Sequence, residues 1–132
     1  MDAFTLHPSA GAHGELTGMM LIHAALKARG NPRKIVLIPD SAHGTNPSSA
    51  HLCGYKVQEI KSDERGMIDL EDLTRVMSED VAALMVTNPN TLGVFEADIC
   101  RIGEIVHAKG SRTRPCSRPW SPTWPCLPWR CG

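Results

Sequence analysis

The sequence predicts an α/β fold with a mostly parallel sheet, and three observations carry that expectation. Helical and short apolar segments alternate through residues 14–109. The apolar runs, at 34–38, 55–60 and 81–86, have the length of strands rather than helices. Polar loops at 40–47 and 87–91 follow the first and third runs, where open α/β sheets collect their ligands.

Taken in order, residues 15–29 place Leu16, Met19, Met20, His23 and Leu26 on one side at helical spacing. Gly30, Asn31 and Pro32 supply the stop. Residues 34–38 form a continuous apolar run closed by Pro39, as expected of a buried parallel strand. A loop over 40–47 leads to a short helix ending at Leu52. Residues 55–60 alternate as a second strand, and 63–66 have turn chemistry. Asp69 opens a helix through about Ser78, with Leu70, Leu73, Val76 and Met77 as its apolar side and acids in its first turn. Residues 81–86 are the third strand, and a last helix starts at about Glu96 with Ile99, Ile102, Ile105 and Val106 on one face.

After Gly110 the alternation requires another strand, and none follows. Residues 111–132 instead hold Arg112, Arg114, Arg118 and Arg130 with no acid, together with all 3 tryptophans, and have neither helical nor strand periodicity. The expected organisation is a partial α/β domain over residues 1–110 and an aberrant tail over 111–132, expected to be disordered. The abrupt onset of Pro/Arg/Trp/Cys bias resembles a GC-rich gene translated in a shifted frame.

Over the whole chain, 14 basic residues balance 14 acidic ones, so no global field points to nucleic acid. No apolar run approaches the roughly 20 residues that span a bilayer, and the N-terminus lacks signal-peptide order, so no membrane partner is expected. Cys53 and Cys100 sit singly in apolar patterns, as small buried thiols do. Cys116, Cys126 and Cys131 lack zinc-ligand spacing, and no metal site is expected.

Three segments could carry chemistry. Small residues at 9–14 precede the first helix, where free amides and room for close approach suit a phosphate. The run Ser-Ala-His-Gly-Thr-Asn-Pro at 41–47 concentrates an imidazole, hydroxyls and an amide at a strand end, with His43 the residue of interest. The run Thr-Asn-Pro-Asn at 87–90 offers polar groups to a ligand hydroxyl or to the backbone of a turn; taken alone, the turn is preferred.

Read together, residues 4–15 (FTLHPSAGAHGE), 38–47 (IPDSAHGTNP) and 85–93 (MVTNPNTLG) resemble the C-terminal half of the glycine decarboxylases, the P-proteins of the glycine cleavage system, in content, order and separation. The resemblance covers about residues 3–110. It implies the large domain of a fold-type-I pyridoxal 5'-phosphate transferase, here partial. It also implies roles: Ala10, Gly11 and Ala12 around the cofactor phosphate, His43 stacked on the pyridine ring, Asn46 nearby, and Thr87 beside the phenolic oxygen. The implied reaction decarboxylates glycine and passes the aminomethyl group to the lipoyl arm of H-protein. The implied partners are glycine, lipoylated H-protein and the other P-protein half or subunit, in a homodimer or heterotetramer. The setting implied is bacterial cytoplasm or the mitochondrial matrix.

The family's ring-nitrogen aspartate and cofactor lysine belong to segments after Gly110 that this sequence does not contain. Lysines 27, 34, 56, 61 and 109 lie in no matching motif. No catalytic residue is therefore assigned, and turnover by this chain is not expected. Residues 1–6 resemble an internal stretch of the family, which predicts a gene fragment with apolar faces left uncovered. A cysteine desulfurase-like member of the same fold type and a non-catalytic interaction remnant are the alternatives; the 41–47 run argues against the first.

Overall fold

Seven elements run in the order α1 (Gly11–Ala28), β1 (Ile35–Pro39), α2 (Thr45–Leu52), β2 (Lys56–Ile60), α3 (Leu70–Val76), β3 (Val81–Leu84) and α4 (Ile99–Gly110). They come from a computed structural model that describes residues 7–110. The tail at 111–132, and with it the expectation of disorder, lies outside the described residues.

The three strands form one sheet in the order β2-β1-β3, and both pairings are parallel. β1 is the central strand, and its residues from Val36 to Pro39 are buried. Side chains alternate across a strand, so β1 feeds two cores. Leu37 joins Ile60, Leu73, Val76, Val81 and Ile102 on one face of the sheet. Val36 and Ile38 join Met19, Ala50 and Tyr55 on the other. Helices α1 and α2 thus cover one face and α3 and α4 the other, the doubly wound form of an α/β sheet.

The chain leaves β1 for β2 on one side and returns through α3 to β3 on the opposite side of β1. This reversal makes a switch point between the carboxyl ends of β1 and β3, and a crevice opens there because the two connections run to opposite faces.

Several boundaries differ from the sequence expectation. α1 starts at Gly11, four residues before Glu15, because a helix N-terminus tolerates small residues that local composition marks as loop. Its buried stripe is narrower than predicted: Met19 is buried, whereas Met20 is 59 % exposed and His23 lies at the surface, its ring edge-on to Tyr55. α2 begins before Pro47 rather than after it, since a proline in the first turn forfeits no helical hydrogen bond. α4 starts at Ile99, three residues after Glu96, whose amide is held by Asn88 instead. Cys100 is exposed, off the Ile102 face of α4, and not a buried thiol.

Two helices end in the same way. Gly30 (φ +65°) and Gly54 (φ +81°) adopt the left-handed conformation that a side chain disfavours. The amides of Gly30 and Asn31 return to the carbonyls of Lys27 and Leu26, and those of Gly54 and Tyr55 to His51 and Ala50, the paired bonds of a Schellman terminus. These sharp stops turn the chain directly toward β1 and β2.

Candidate functional site

The loops at the switch point meet in a cleft lined by Pro39, Ser41, Ala42, Ile68, Val86, Thr87, Asn90, Thr91 and Glu96. Its cavity is about 10 Å³, room for about one water. The expected strand-end loops therefore do converge, and Thr87 and Ser41 share one cleft. His43 and the 10–12 segment are not in its lining; all four of those residues are exposed to solvent.

His43 is nonetheless held in place. The Thr45 backbone amide donates to His43 Nδ1 at 3.2 Å, and Thr45 Oγ1 lies 3.1 Å from the same nitrogen. With Nδ1 accepting, the neutral ring carries its proton on Nε2. The ring faces solvent with a fixed tautomer, available to a planar partner.

Asn46, expected in a loop, lies in the first turn of α2 and is 2 % exposed. Its Oδ1 is buried and has no hydrogen-bond partner among the described residues. An amide oxygen in that state is a costly feature unless a further group satisfies it.

At the head of α1, Ala10 is the N-cap with an extended backbone, and no side chain caps the helix or places an acid in its first turn. The first ladder bond runs from the Gly14 amide to the Ala10 carbonyl, 3.0 Å, which leaves the earlier amides without helical partners. The space where a Gly11 side chain would stand is open. Open approach, free amides and an eighteen-residue helix dipole together favour an anion.

In the loop after β3 the two asparagines do what the turn reading predicted. Asn90 Oδ1 accepts from the amides of Leu92 and Val94, both at 3.0 Å, and Asn90 Nδ2 donates to the Gly66 carbonyl at 3.0 Å. Asn88 Oδ1 accepts from the Glu96 amide at 3.0 Å, and its Nδ2 donates back to the Glu96 carbonyl at 3.4 Å. Thr87 alone of this run keeps its hydroxyl out of such bonds among the described residues, and it is exposed.

Glu96 was not singled out by the sequence. It is 2 % exposed, and its Oε1 accepts the Ile68 amide at 2.9 Å. Oε2 is buried without a partner among the described residues. Burial pushes this carboxyl above the ordinary glutamate range, and the nearby Asp63 and Asp98 push the same way, against the Ile68 amide and Arg65. Nothing local marks it, because Ile68 lies 28 residues earlier in the chain.

A doubly wound parallel sheet with a cleft at its switch point is a frame that the pyridoxal-phosphate transferases use, and the comparisons place the chain among them. The aminotransferase class-V family matches residues 13–113, and the chain belongs to it. More narrowly, the chain is 56 % identical over 112 residues to a protein of Kosmotoga olearia named "Probable glycine dehydrogenase (decarboxylating) subunit 2". It is 59 % identical over 111 residues to that of Desulforamulus reducens and 58 % over 112 residues to that of Thermotoga maritima. These alignments take in 83–84 % of this chain but 23 % of each relative, so the chain spans about a quarter of their length.

Among solved structures, a sphingosine-1-phosphate lyase of Burkholderia pseudomallei superposes with a TM-score of 0.69 at 22 % identity, over 75 % of this chain and 23 % of the lyase. A NifS-like protein superposes with a TM-score of 0.62 at 19 % identity, over 77 % of this chain and 28 % of that one. Both likenesses support the fold.

Proposed function

We propose that this chain carries one side of the pyridoxal-phosphate site of a glycine dehydrogenase (decarboxylating), the P-protein of the glycine cleavage system. In this reading the whole protein releases carbon dioxide from glycine and hands the aminomethyl group to the lipoyl arm of H-protein. The other P-protein half or subunit completes it. The observation that carries the reading is the combination of uncapped α1 amides with an imidazole fixed at the carboxyl end of β1, in a chain more than half identical to such subunits.

The residues present fit the cofactor. The free amides at Gly11 and Ala12, beside Ala10, would hold the phosphate; His43 would cover one ring face; Asn46 and Thr87 would offer an amide and a hydroxyl to the ring substituents. When bound, pyridoxal phosphate supplies the electron sink that accepts the carbanion left by decarboxylation. The chain's own groups would orient the ring, with His43 exposed and so open to a planar partner.

Titration of the 132-residue protein with pyridoxal phosphate, followed by quenching of the cofactor's fluorescence, tests this. Saturable uptake is expected, with borohydride trapping no single lysine stoichiometrically and glycine yielding no carbon dioxide, because no lysine here lies in the family's lysine motif. His43→Ala should weaken uptake about tenfold, the loss of one stacked ring at ~1.4 kcal/mol. Equal affinity of the variant and the parent would sink the assignment.

A further inference from the structure

The Glu96 carboxyl lines the cleft and is buried, yet has no task in the cofactor site. It lies where three segments cross. Its Oε1 takes the Ile68 amide, and its main chain is gripped on both sides by the Asn88 side chain, one residue from Thr87. Asn90, in turn, ties this loop to the Gly66 carbonyl and to the Leu92 and Val94 amides. The 66–68, 88–90 and 94–96 segments are thereby one interlocked unit, and Thr87 is the residue it holds at the mouth of the cleft.

The second carboxyl oxygen decides the protonation state. As an anion, Oε2 would be a buried charge with no donor, in a neighbourhood holding Asp63 and Asp98 and only Arg65 of opposite sign. Arg65 is itself committed to Asp63 at 2.8 Å. As a neutral acid, the same atom carries a hydrogen and no charge, in a residue that lines the cleft together with Ser41 and Thr87. Burial thus favours the neutral state, because an unpaired hydroxyl costs less than an unpaired buried charge.

We propose that Glu96 is a positioning residue for the cofactor pocket, a buried acid that fixes the Thr87 loop and whose ionisation loosens it. This rests on the cofactor reading only for what Thr87 is positioned to meet; the locking of the loop stands apart from it.

The experiment has a cofactor-free arm and a cofactor arm, both on the full chain. In the first, carbon-13 labelling of glutamate carboxyls, with Glu96→Gln to assign the signal, follows the titration, and hydrogen exchange follows the Ile68 and Glu96 amides. Glu96 should titrate above the usual ~4.3 of a free glutamate. Both amides should exchange faster in the parent as pH rises through that titration, whereas in Glu96→Gln, which cannot ionise, their protection should follow intrinsic exchange alone. In the second arm, the affinity of the parent for pyridoxal phosphate should fall over the same pH interval, Glu96→Gln should lack that fall, and Glu96→Ala should bind about tenfold more weakly.

A titration of Glu96 in the ordinary range, or loop protection indifferent to it, overturns the proposal. So does a Glu96→Gln variant that retains the parent's pH dependence of affinity. If the parent takes up no cofactor while the first arm gives the expected result, the cofactor reading fails and the locking of the loop stands.

Discussion

At the scale of single residues, the buried and half-buried carboxyls pull in opposite directions with pH. Asp72 is held below the usual carboxylate range, first by the Arg75 side chain and then by the Lys61 amide at 3.1 Å. Asp63 is held low chiefly by the Met67 amide. Both bind protons more weakly folded than unfolded. Their contribution is complete above the unfolded value of ~3.9 and is lost as pH falls through the folded value. Glu96, raised by burial, has the reverse sign: its contribution is complete below the unfolded value and is lost as pH rises through the folded one. Urea midpoints between pH 2 and 8 should therefore fall at the acid end in the parent, and Asp72→Asn should flatten that limb. A Glu96→Gln variant should flatten the decline on the side toward neutral pH instead; if both variants trace the parent's curve, these assignments are wrong. His43, Asn46 and Thr87 could be singled out as candidates in the sequence because two contiguous runs carry them in a family-like order. Glu96 was not, since its task is set by Ile68 and Asn88, contacts that exist only once β3 and the 61–68 turn have been brought together.

At the scale of elements, all segments but the short helix ending at Leu52 were readable from apolar runs and periodicity, while their ends were set by groups that periodicity does not weigh. Asp69 was foreseen as the start of a helix, and it caps α3 by accepting the Glu71 amide at 2.8 Å and the Asp72 amide at 3.3 Å. α1 was read four residues short because Gly11 and Gly14 have weak helical preference, yet the stripe from Leu16 to Leu26, packed over α2 and β3, extends the helix back through them. Glycine at helix ends has a measurable weight here. Gly54→Ala places a side chain at φ +81° between α2 and β2, and should destabilise the protein by ~1–2 kcal/mol in urea unfolding. Nothing lies within 4 Å of the added methyl, so the cost is conformational rather than steric. An Ala variant as stable as the parent would show that the αL turn is not needed at that junction. Asp69→Ala should cost about 1 kcal/mol by the loss of its cap, and Asp69→Asn should recover most of it.

At the scale of the whole molecule, alternation of helices and strands gave the α/β class, but not the strand order. That order places β1 in the centre and creates the switch point on which the candidate site depends, and it follows from which helix faces found partners, a tertiary matter. The same packing leaves large apolar side chains at the surface: Leu21 at 63 %, Leu52 at 76 %, Leu92 at 73 % and Phe95 at 62 % exposed, besides Met20. Among the described residues β3 pairs on one side only, with β1. A strand edge and scattered apolar side chains of this size are the surfaces through which chains associate, because apolar area removed from water contributes ~25 cal/mol per Å² whichever molecule covers it. The purified chain should accordingly show a sedimentation coefficient that rises with concentration. Replacing Met20 and Leu21 together by serine removes exposed apolar area on α1 without touching Met19, the buried anchor of that helix. The double variant should stay monomeric to higher concentration, with an unfolding midpoint close to the parent's; if its association matches the parent's, α1 is not the surface through which the chains meet, and the β3 edge becomes the element to block.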